Sequence, residues 1–122
     1  MDFIPHPKSV MLASDVFSDL VRERGLANTV NTYIPRARNK LNSIDQEITS
    51  LASVMDQSEV ADYAIIISET KKNLDEIERL NSGHILTPNH AIGTLAYVDM
   101  TMRLMERNLT PLKSKMEMDK AR

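Results

Sequence analysis

The stretch that decides the fold is ARNKLNSIDQEITSLASVM, residues 37–55. Its apolar residues recur at alternating spacings of four and three; they are Ala37, Leu41, Ile44, Ile48, Leu51 and Met55. Residues three and four apart share one face of an α-helix, so the pattern predicts a helix, helix 2, with a continuous apolar stripe. Such a stripe is typical of a helix packed along its length against other helices, as in a coiled coil.

A third helix is predicted to follow the polar residues Asp56-Gln57-Ser58, with Ser58 as its N-cap and Gly83 at its end. Because the connection is short, helices 2 and 3 should be antiparallel. The triplet 65–67 is Ile-Ile-Ile and resembles a strand, but the flanking stretches keep a helical period, so burial on more than one face is expected there. The apolar residues of helix 3 are Val60, Tyr63, Ala64, Ile67, Leu74, Ile77 and Leu80.

A fourth helix is predicted to begin at Thr87-Pro88, a capping residue followed by the residue preferred at the first helical position. Pro111 should kink this helix, unless the helix ends near Asn108 and restarts. Its apolar residues again alternate three and four apart; they are Leu95, Val98, Met102, Met105, Leu109, Leu112 and Met116.

Upstream, residues 1–8 are expected to form an N-terminal arm because Pro5 and Pro7 disfavour helix before them. Ser9 is the predicted cap of helix 1, which covers about residues 10–24 and stops at Gly25. Helix 1 carries Val10, Leu12, Ala13, Val16, Phe17, Leu20 and Val21.

The sequence allows two starting points for helix 2. It begins at Asn28 with a kink at Pro35, or near Tyr33 without one. Residues 9–118 are read as one helical domain and 119–122 as a frayed tail.

These patterns predict an all-α fold, an antiparallel bundle of three to four helices with heptad-like apolar stripes. Three striped helices leave apolar surface that needs a further cover. The cover should come from helix 1 or from another subunit, and the second solution predicts a homo-oligomer.

Composition narrows the function classes. The 122 residues are 42% hydrophobic and 4% aromatic, with a formal net charge of −2, which disfavours binding of nucleic acid through overall positive charge. The chain has no Cys, which favours a reducing compartment, and we expect the cytoplasm. No signal peptide and no apolar run of about 20 residues is present, so no membrane partner is expected.

The basic start of helix 2 is the first candidate site. Arg36, Arg38 and Lys40 follow Pro35, and exposed backbone amides there, with Tyr33 to stack, would suit an anion, a nucleotide or an acidic partner. The alternative is a solvated face whose charges pair with acidic residues of a neighbouring helix.

The methionines of helix 4 are the second candidate. Met100, Met102, Met105 and Met116 would form an adaptable docking face for a partner protein, although the alternative, filling of the core, fits their place in the stripe. No metal or other cofactor is predicted, because the thioethers and histidines show no ligand spacing.

No catalytic residues are predicted. Gly-x-Ser-x-Gly and His-Glu-x-x-His motifs are absent, and His6, His84 and His90 have no carboxylate at ligand spacing. Asp99 lies beside the apolar stripe and should pair with Arg103 one turn later.

The sequence therefore predicts a non-enzymatic interaction module, such as an adaptor, inhibitor, assembly factor or chaperone, that presents a helical face to another protein. The alternative is a bundle that binds a small anion or nucleotide at residues 33–40.

Overall fold

The computed structural model describes residues 3–120, with backbone alone for residues 119 and 120. It contains four helices joined by short connections, and residues 3–120 include no β-strand. The prediction of an all-α helical bundle is confirmed. The helices are α1 (Pro7–Arg24), α2 (Leu26–Leu51), α3 (Gln57–Ser82) and α4 (Pro88–Lys120), with a 3₁₀ turn at Ala52–Val54 between α2 and α3.

The core lies where the predicted stripes of α2, α3 and α4 meet. On α2, the stripe is buried from Ala37 to Leu51, where the helix ends; Met55, predicted to continue it, lies beyond the 3₁₀ turn and is half-buried. On α3, Ile67 is buried and Ile66 is partly buried against the core, but Ile65 is 56% exposed, so the expected burial of the triplet on more than one face is only partial. The buried apolar residues of α3 and α4 are Tyr63, Ile67, Leu74, Ile77, Ala91, Leu95, Ala96, Val98, Met102, Met105 and Leu109.

Helix α1 completes the bundle by packing on α4 and α2. Phe17 anchors it: the side chain is 5% exposed and its ring meets that of Tyr33 edge-on, with 5.0 Å between centroids. The cover that the three stripes require thus comes from helix 1 of the same chain.

A single residue, Gly25, joins α1 to α2. Its φ of +85° and ψ of 156° belong to a region that only glycine adopts readily. The Gly25 N–H donates to the Val21 carbonyl at 2.9 Å, and the Gly25 carbonyl accepts from the Thr29 N–H at 3.1 Å, so one residue caps both helices. The predicted stop at Gly25 is confirmed.

The start of α1 corrects the predicted arm. The helix begins at Pro7 and not after Ser9, and its N-cap is His6, whose Nδ1 accepts from the Lys8 N–H at 3.1 Å. Phe3 is buried against Tyr63, with ring centroids 4.7 Å apart. The part of the arm at residues 1–2 lies outside the described residues.

Helix α2 begins earlier than predicted, at Leu26, and continues through Pro35. The segment 28–32, expected as a capping region, is therefore helical, and Thr29 bonds its hydroxyl back to the Gly25 carbonyl at 2.8 Å. Helix α4 also continues through its internal proline, Pro111, so the break near Asn108 does not occur. The predicted tail is helical to residue 120, and residues 121–122 lie outside the described part.

The ends of α3 differ from prediction by one or two residues. Asp56, not Ser58, is the N-cap residue. At the other end the left-handed residue is His84 (φ +57°), while Gly83 keeps a right-handed conformation. The Ile85 N–H reaches back to the Leu80 carbonyl at 3.0 Å, which is the bonding of a Schellman motif.

The start of α4 is as predicted, with the Thr87 hydroxyl accepting from the His90 N–H at 3.3 Å. None of the helices within residues 3–120 combines the length and apolarity needed to cross a bilayer.

Candidate functional site

A row of apolar side chains on α1 lies at the edge of the face that packs on the core. Leu12 and Val16 are 68% and 58% exposed, and Leu20, one turn further on, is half-buried. We call these three residues the α1 ridge. Spacings of four place them in one line along the helix, beside the face that buries Phe17. Leu20 packs partly against the core, whereas Leu12 and Val16 are not among the apolar residues that do so.

A row of acidic residues runs parallel to the α1 ridge. Asp15, Asp19 and Glu23 each follow a ridge residue by three positions, so each lies next to it on the helix surface. All three are exposed. We call them the acidic row; its one ion pair within the described residues joins Asp19 to Arg22 at 3.5 Å.

A groove of 430 Å³ lies on the other side of the α1 ridge, between α1, α2 and α4. Leu12, Val16 and Leu20 form one wall. The opposite side is built by α2 and α4; it comprises Tyr33, Asp99, Met100 and Arg103. The α1 ridge is therefore the crest between the acidic row and this groove.

A hydrogen-bonded cluster closes the floor of the groove. The Tyr33 hydroxyl donates to Asp99 Oδ1 at 3.0 Å, and Arg103 Nε donates to Asp99 Oδ2 at 2.9 Å. The Asp99 side chain is 18% exposed, and both of its oxygens have a donor. The predicted Asp99–Arg103 pair is confirmed, whereas the Tyr33 contact, across 66 residues, was not foreseen.

Two members of this cluster, Tyr33 and Arg103, have raised pKa values. Burial raises the pKa of the Tyr33 phenol, and the charge of Asp99 and its hydrogen bond raise it further. The hydrogen bond that Arg103 donates to Asp99, and the negative charge of Asp99, raise the pKa of Arg103. Tyr33 thus stays a neutral donor and Arg103 a cation, and the cluster fixes the shape and charge of the groove floor.

The basic residues predicted as an anion site do not act together. They do not occupy the first turns of a helix, because α2 begins at Leu26 and its free amides lie far upstream. Arg38 Nη2 pairs with Asp75 at 2.8 Å and Glu78 at 3.3 Å on α3, and Lys40 pairs with Glu106 of α4 at 3.0 Å.

Arg36 is placed differently from the other two. It is exposed, lines a smaller cavity with Tyr33, and has no acidic side chain within 4 Å among the described residues. The alternative of interhelical pairing therefore describes Arg38 and Lys40, but not Arg36.

The four methionines of α4 that were predicted to form a docking face lie in different surroundings. Met102 and Met105 are 1% and 0% exposed, so they fill the core and present no surface to a partner. Met100 is half-buried and lines the groove under the α1 ridge. Met116 is half-buried in a separate open cleft of 530 Å³, beside Lys113.

Within the described residues, no three His, Asp or Glu side chains come together in a way that would hold a metal ion. The groove instead combines an apolar wall, a fixed carboxylate–guanidinium pair and an acidic row next to it. That combination suits the binding of an amphipathic surface. No family model, curated protein or solved structure matches the chain.

Proposed function

We propose that the protein is a non-enzymatic protein-interaction module that docks a basic amphipathic helix of a partner protein along the α1 ridge. The observation that carries the proposal is the α1 ridge, with Leu12 and Val16 exposed and Leu20 half-buried, beside a groove whose polar floor is already hydrogen-bonded. A partner helix with apolar residues at the same spacing would bury this line, as in other helix-in-groove complexes.

The acidic row specifies the charge of the partner. Asp15, Asp19 and Glu23 flank the α1 ridge at regular offsets, and Arg22 pairs with Asp19 alone. Lys or Arg side chains flanking the apolar residues of the partner helix would lie opposite this row. Such exposed pairs contribute modestly to affinity, but they select the partner and orient it.

A second copy of the chain is a poorer occupant of the same surface. Two α1 ridges packed antiparallel about a twofold axis through Val16 would place each acidic row against the other, and like charges repel. The stripes from which self-association was predicted are buried by the chain's own helices.

The proposal is tested with a synthetic 20-residue helix that has Leu at spacings of three and four and Lys on both flanks. Isothermal titration at low ionic strength should show binding that weakens as salt is added, because exposed charges are screened over about 8–10 Å. The same peptide with Glu in place of Lys should bind at least about ten-fold more weakly, since three pairs of ~0.5 kcal/mol each are lost.

Variants locate the binding surface. Val16→Asp should weaken the Lys peptide about ten-fold or more, because burial of a Val contributes ~1.5–3 kcal/mol. Its matched control is Ile65→Asp, which places the same charge at an exposed apolar position of α3.

Charge on the acidic row is tested in the same way. The triple change Asp15→Asn/Asp19→Asn/Glu23→Gln should weaken the Lys peptide about ten-fold. A control triple on α3, Asp62→Asn/Glu69→Gln/Glu76→Gln, alters exposed acids and should leave binding unchanged.

Three outcomes overturn the proposal. Equal losses in a variant and its control would show that the peptide responds to overall charge. If neither the Lys peptide nor the Glu peptide binds, the α1 ridge is not a docking surface. A homodimer in sedimentation equilibrium that Val16→Asp dissociates would assign the α1 ridge to a second copy of the chain.

A further inference from the structure

A second cavity lies at the elbow between α1 and α2, next to the groove described above. Its volume is 240 Å³. The two cavities share Phe17, Leu20 and Tyr33 in their walls, but the elbow cavity turns towards the first half of α2, where Thr29 and Thr32 contribute to its lining. It is separate from the acidic row, and its charge has the opposite sign.

Two arginines line the elbow cavity, Arg24 and Arg36. Neither has an acidic side chain within 4 Å among the described residues, although Arg38 and Lys40 on the same helix are both paired. Arg24 lies in the last turn of α1, where the helix dipole favours a cation. Arg36 lies within α2 and has no such compensation, so two like charges share a cavity with no counter-charge.

The apolar side of the elbow cavity is a rigid aromatic surface. Phe17 and Tyr33 meet edge-on at an interplanar angle of 90°, and the Tyr33 hydroxyl is fixed by its bond to Asp99. Leu20 adds an aliphatic wall. The Thr29 hydroxyl is used by the Gly25 carbonyl, so exposed Thr32 is the threonine left to bond a ligand.

We propose that the elbow cavity binds a small anion attached to a planar apolar ring. The ring would pack on Phe17, Leu20 and Tyr33, and the phosphate or carboxylate would be bound by Arg24 and Arg36, whose planar guanidinium groups match both anions bidentately. A cavity of this volume has room for a single ring with its anionic group. The inference does not depend on the docking of a helix at the α1 ridge.

The test uses four probes in isothermal titration at low ionic strength. Phenyl phosphate and benzoate carry both ring and anion, inorganic phosphate carries the anion alone, and benzyl alcohol carries the ring alone. At least one of the first two should bind, and the last two should bind about ten-fold or more weakly, because each lacks one half of the interaction. The stronger of phenyl phosphate and benzoate identifies the anionic group.

Substitution identifies the residues. Arg36→Gln and Arg24→Gln should each weaken the stronger probe about ten-fold or more, since a hydrogen bond to a charged group contributes ~1.5–3 kcal/mol. Arg107→Gln removes an exposed cation of α4 outside the cavity and is the matched control. Circular dichroism should show unchanged helix content in all three, because these side chains are exposed.

The proposal is overturned if no probe binds, if inorganic phosphate or benzyl alcohol binds as tightly as the stronger ring-bearing anion, or if Arg107→Gln weakens binding as much as Arg36→Gln. Its failure is distinguishable from failure of the docking proposal: Arg36→Gln should bind the Lys peptide like the wild type, and Val16→Asp should bind the ring-bearing anion like the wild type.

Discussion

The bundle of α2, α3 and α4 and the added helix α1 use the same kind of apolar residue in different ways. In the bundle, the apolar stripes are mostly buried, and exposed apolar residues such as Ile65 and Tyr97 lie singly outside them. On α1 the apolar residues occupy two neighbouring faces: one buries Phe17, and the other, the α1 ridge, leaves Leu12 and Val16 exposed. A stripe with no surplus stabilises the fold, whereas surplus apolar surface on a helix that is already packed points to a binding role.

Replacing a leucine with alanine should give the largest difference in the free energy of unfolding between the two regions. Leu41→Ala on α2 should lower the free energy of unfolding by ~2–5 kcal/mol, because the side chain is fully buried and its removal leaves a cavity. Leu12→Ala on the α1 ridge should change it by less than about 0.5 kcal/mol, since the side chain is exposed. Urea denaturation measures both. A loss at Leu12 equal to that at Leu41 would make the α1 ridge part of the core and remove the distinction.

Substitution of Gly25, which joins the two regions, should change the free energy of unfolding less than the loss of Leu41 does. Gly25→Ala should lower the free energy of unfolding by ~1–3 kcal/mol, because φ of +85° with extended ψ strains any other residue. The matched control is Gly93→Ala on α4, where an added Cβ meets no atom within 4 Å; it should raise stability by ~1 kcal/mol through helix propensity. Thermal unfolding of both variants gives the comparison. Two substitutions of the same sign would contradict the assigned backbone of the elbow.

The smallest effects compare two tyrosines of the bundle, one inside it and one that packs against α1. Tyr63 is fully buried in the bundle and its hydroxyl has no hydrogen-bond partner among the described residues, so Tyr63→Phe should be neutral or slightly stabilising at pH 7. Tyr33, which packs against α1, donates to Asp99, so Tyr33→Phe should cost about 1 kcal/mol. Urea denaturation at pH 7 measures the difference, and equal costs would contradict the contrast between the two hydroxyls.

Alkaline pH should affect both tyrosines in the same direction. Burial and the nearby Glu59 raise the pKa of Tyr63 to about 12, and burial raises that of Tyr33. A tyrosine with a raised folded pKa contributes stability below pH 10 that is lost as pH rises from about 10 towards the folded value. Each Phe variant should therefore lose less stability between pH 10 and 12 than the wild type does, and identical pH profiles would contradict these pKa directions.

The features of the molecule that the sequence predicts are those governed by local helical periodicity. Spacings of three and four were sufficient to place Leu41 and Ile48 in the core, and the Asp99–Arg103 pair followed from helix geometry alone. The start of α2 was misplaced because polar residues 28–32 and Pro35 resemble a boundary. In the structure, Gly25 alone turns the chain, and packing against α1 overrides those local signals.

The candidate sites depended on contacts that no local pattern encodes. Tyr33 forms a hydrogen bond with Asp99, which lies 66 residues further along the chain. Arg38 has acidic partners on α3 and Arg36 has none within 4 Å among the described residues, because their positions on α2 face different neighbours. One signal was available in the sequence: Leu12, Val16 and Leu20 form a line beside the face containing Val10 and Phe17, and the acidic row repeats at the same interval. Helix 1 carries more apolar surface than one packed face needs.

Disulfide trapping is the most direct measurement of whether the α1 ridge docks a helix, because the chain has no cysteine and single variants are unambiguous. The Lys peptide, with one central Leu replaced by Cys, is incubated under mild oxidation with Val16→Cys protein and, separately, with Ile65→Cys protein. The α1 ridge account predicts a mixed disulfide at position 16 that forms at least about ten-fold faster than at position 65 and slows in high salt. Equal rates at the two positions, or a rate at position 16 indifferent to salt, would contradict it.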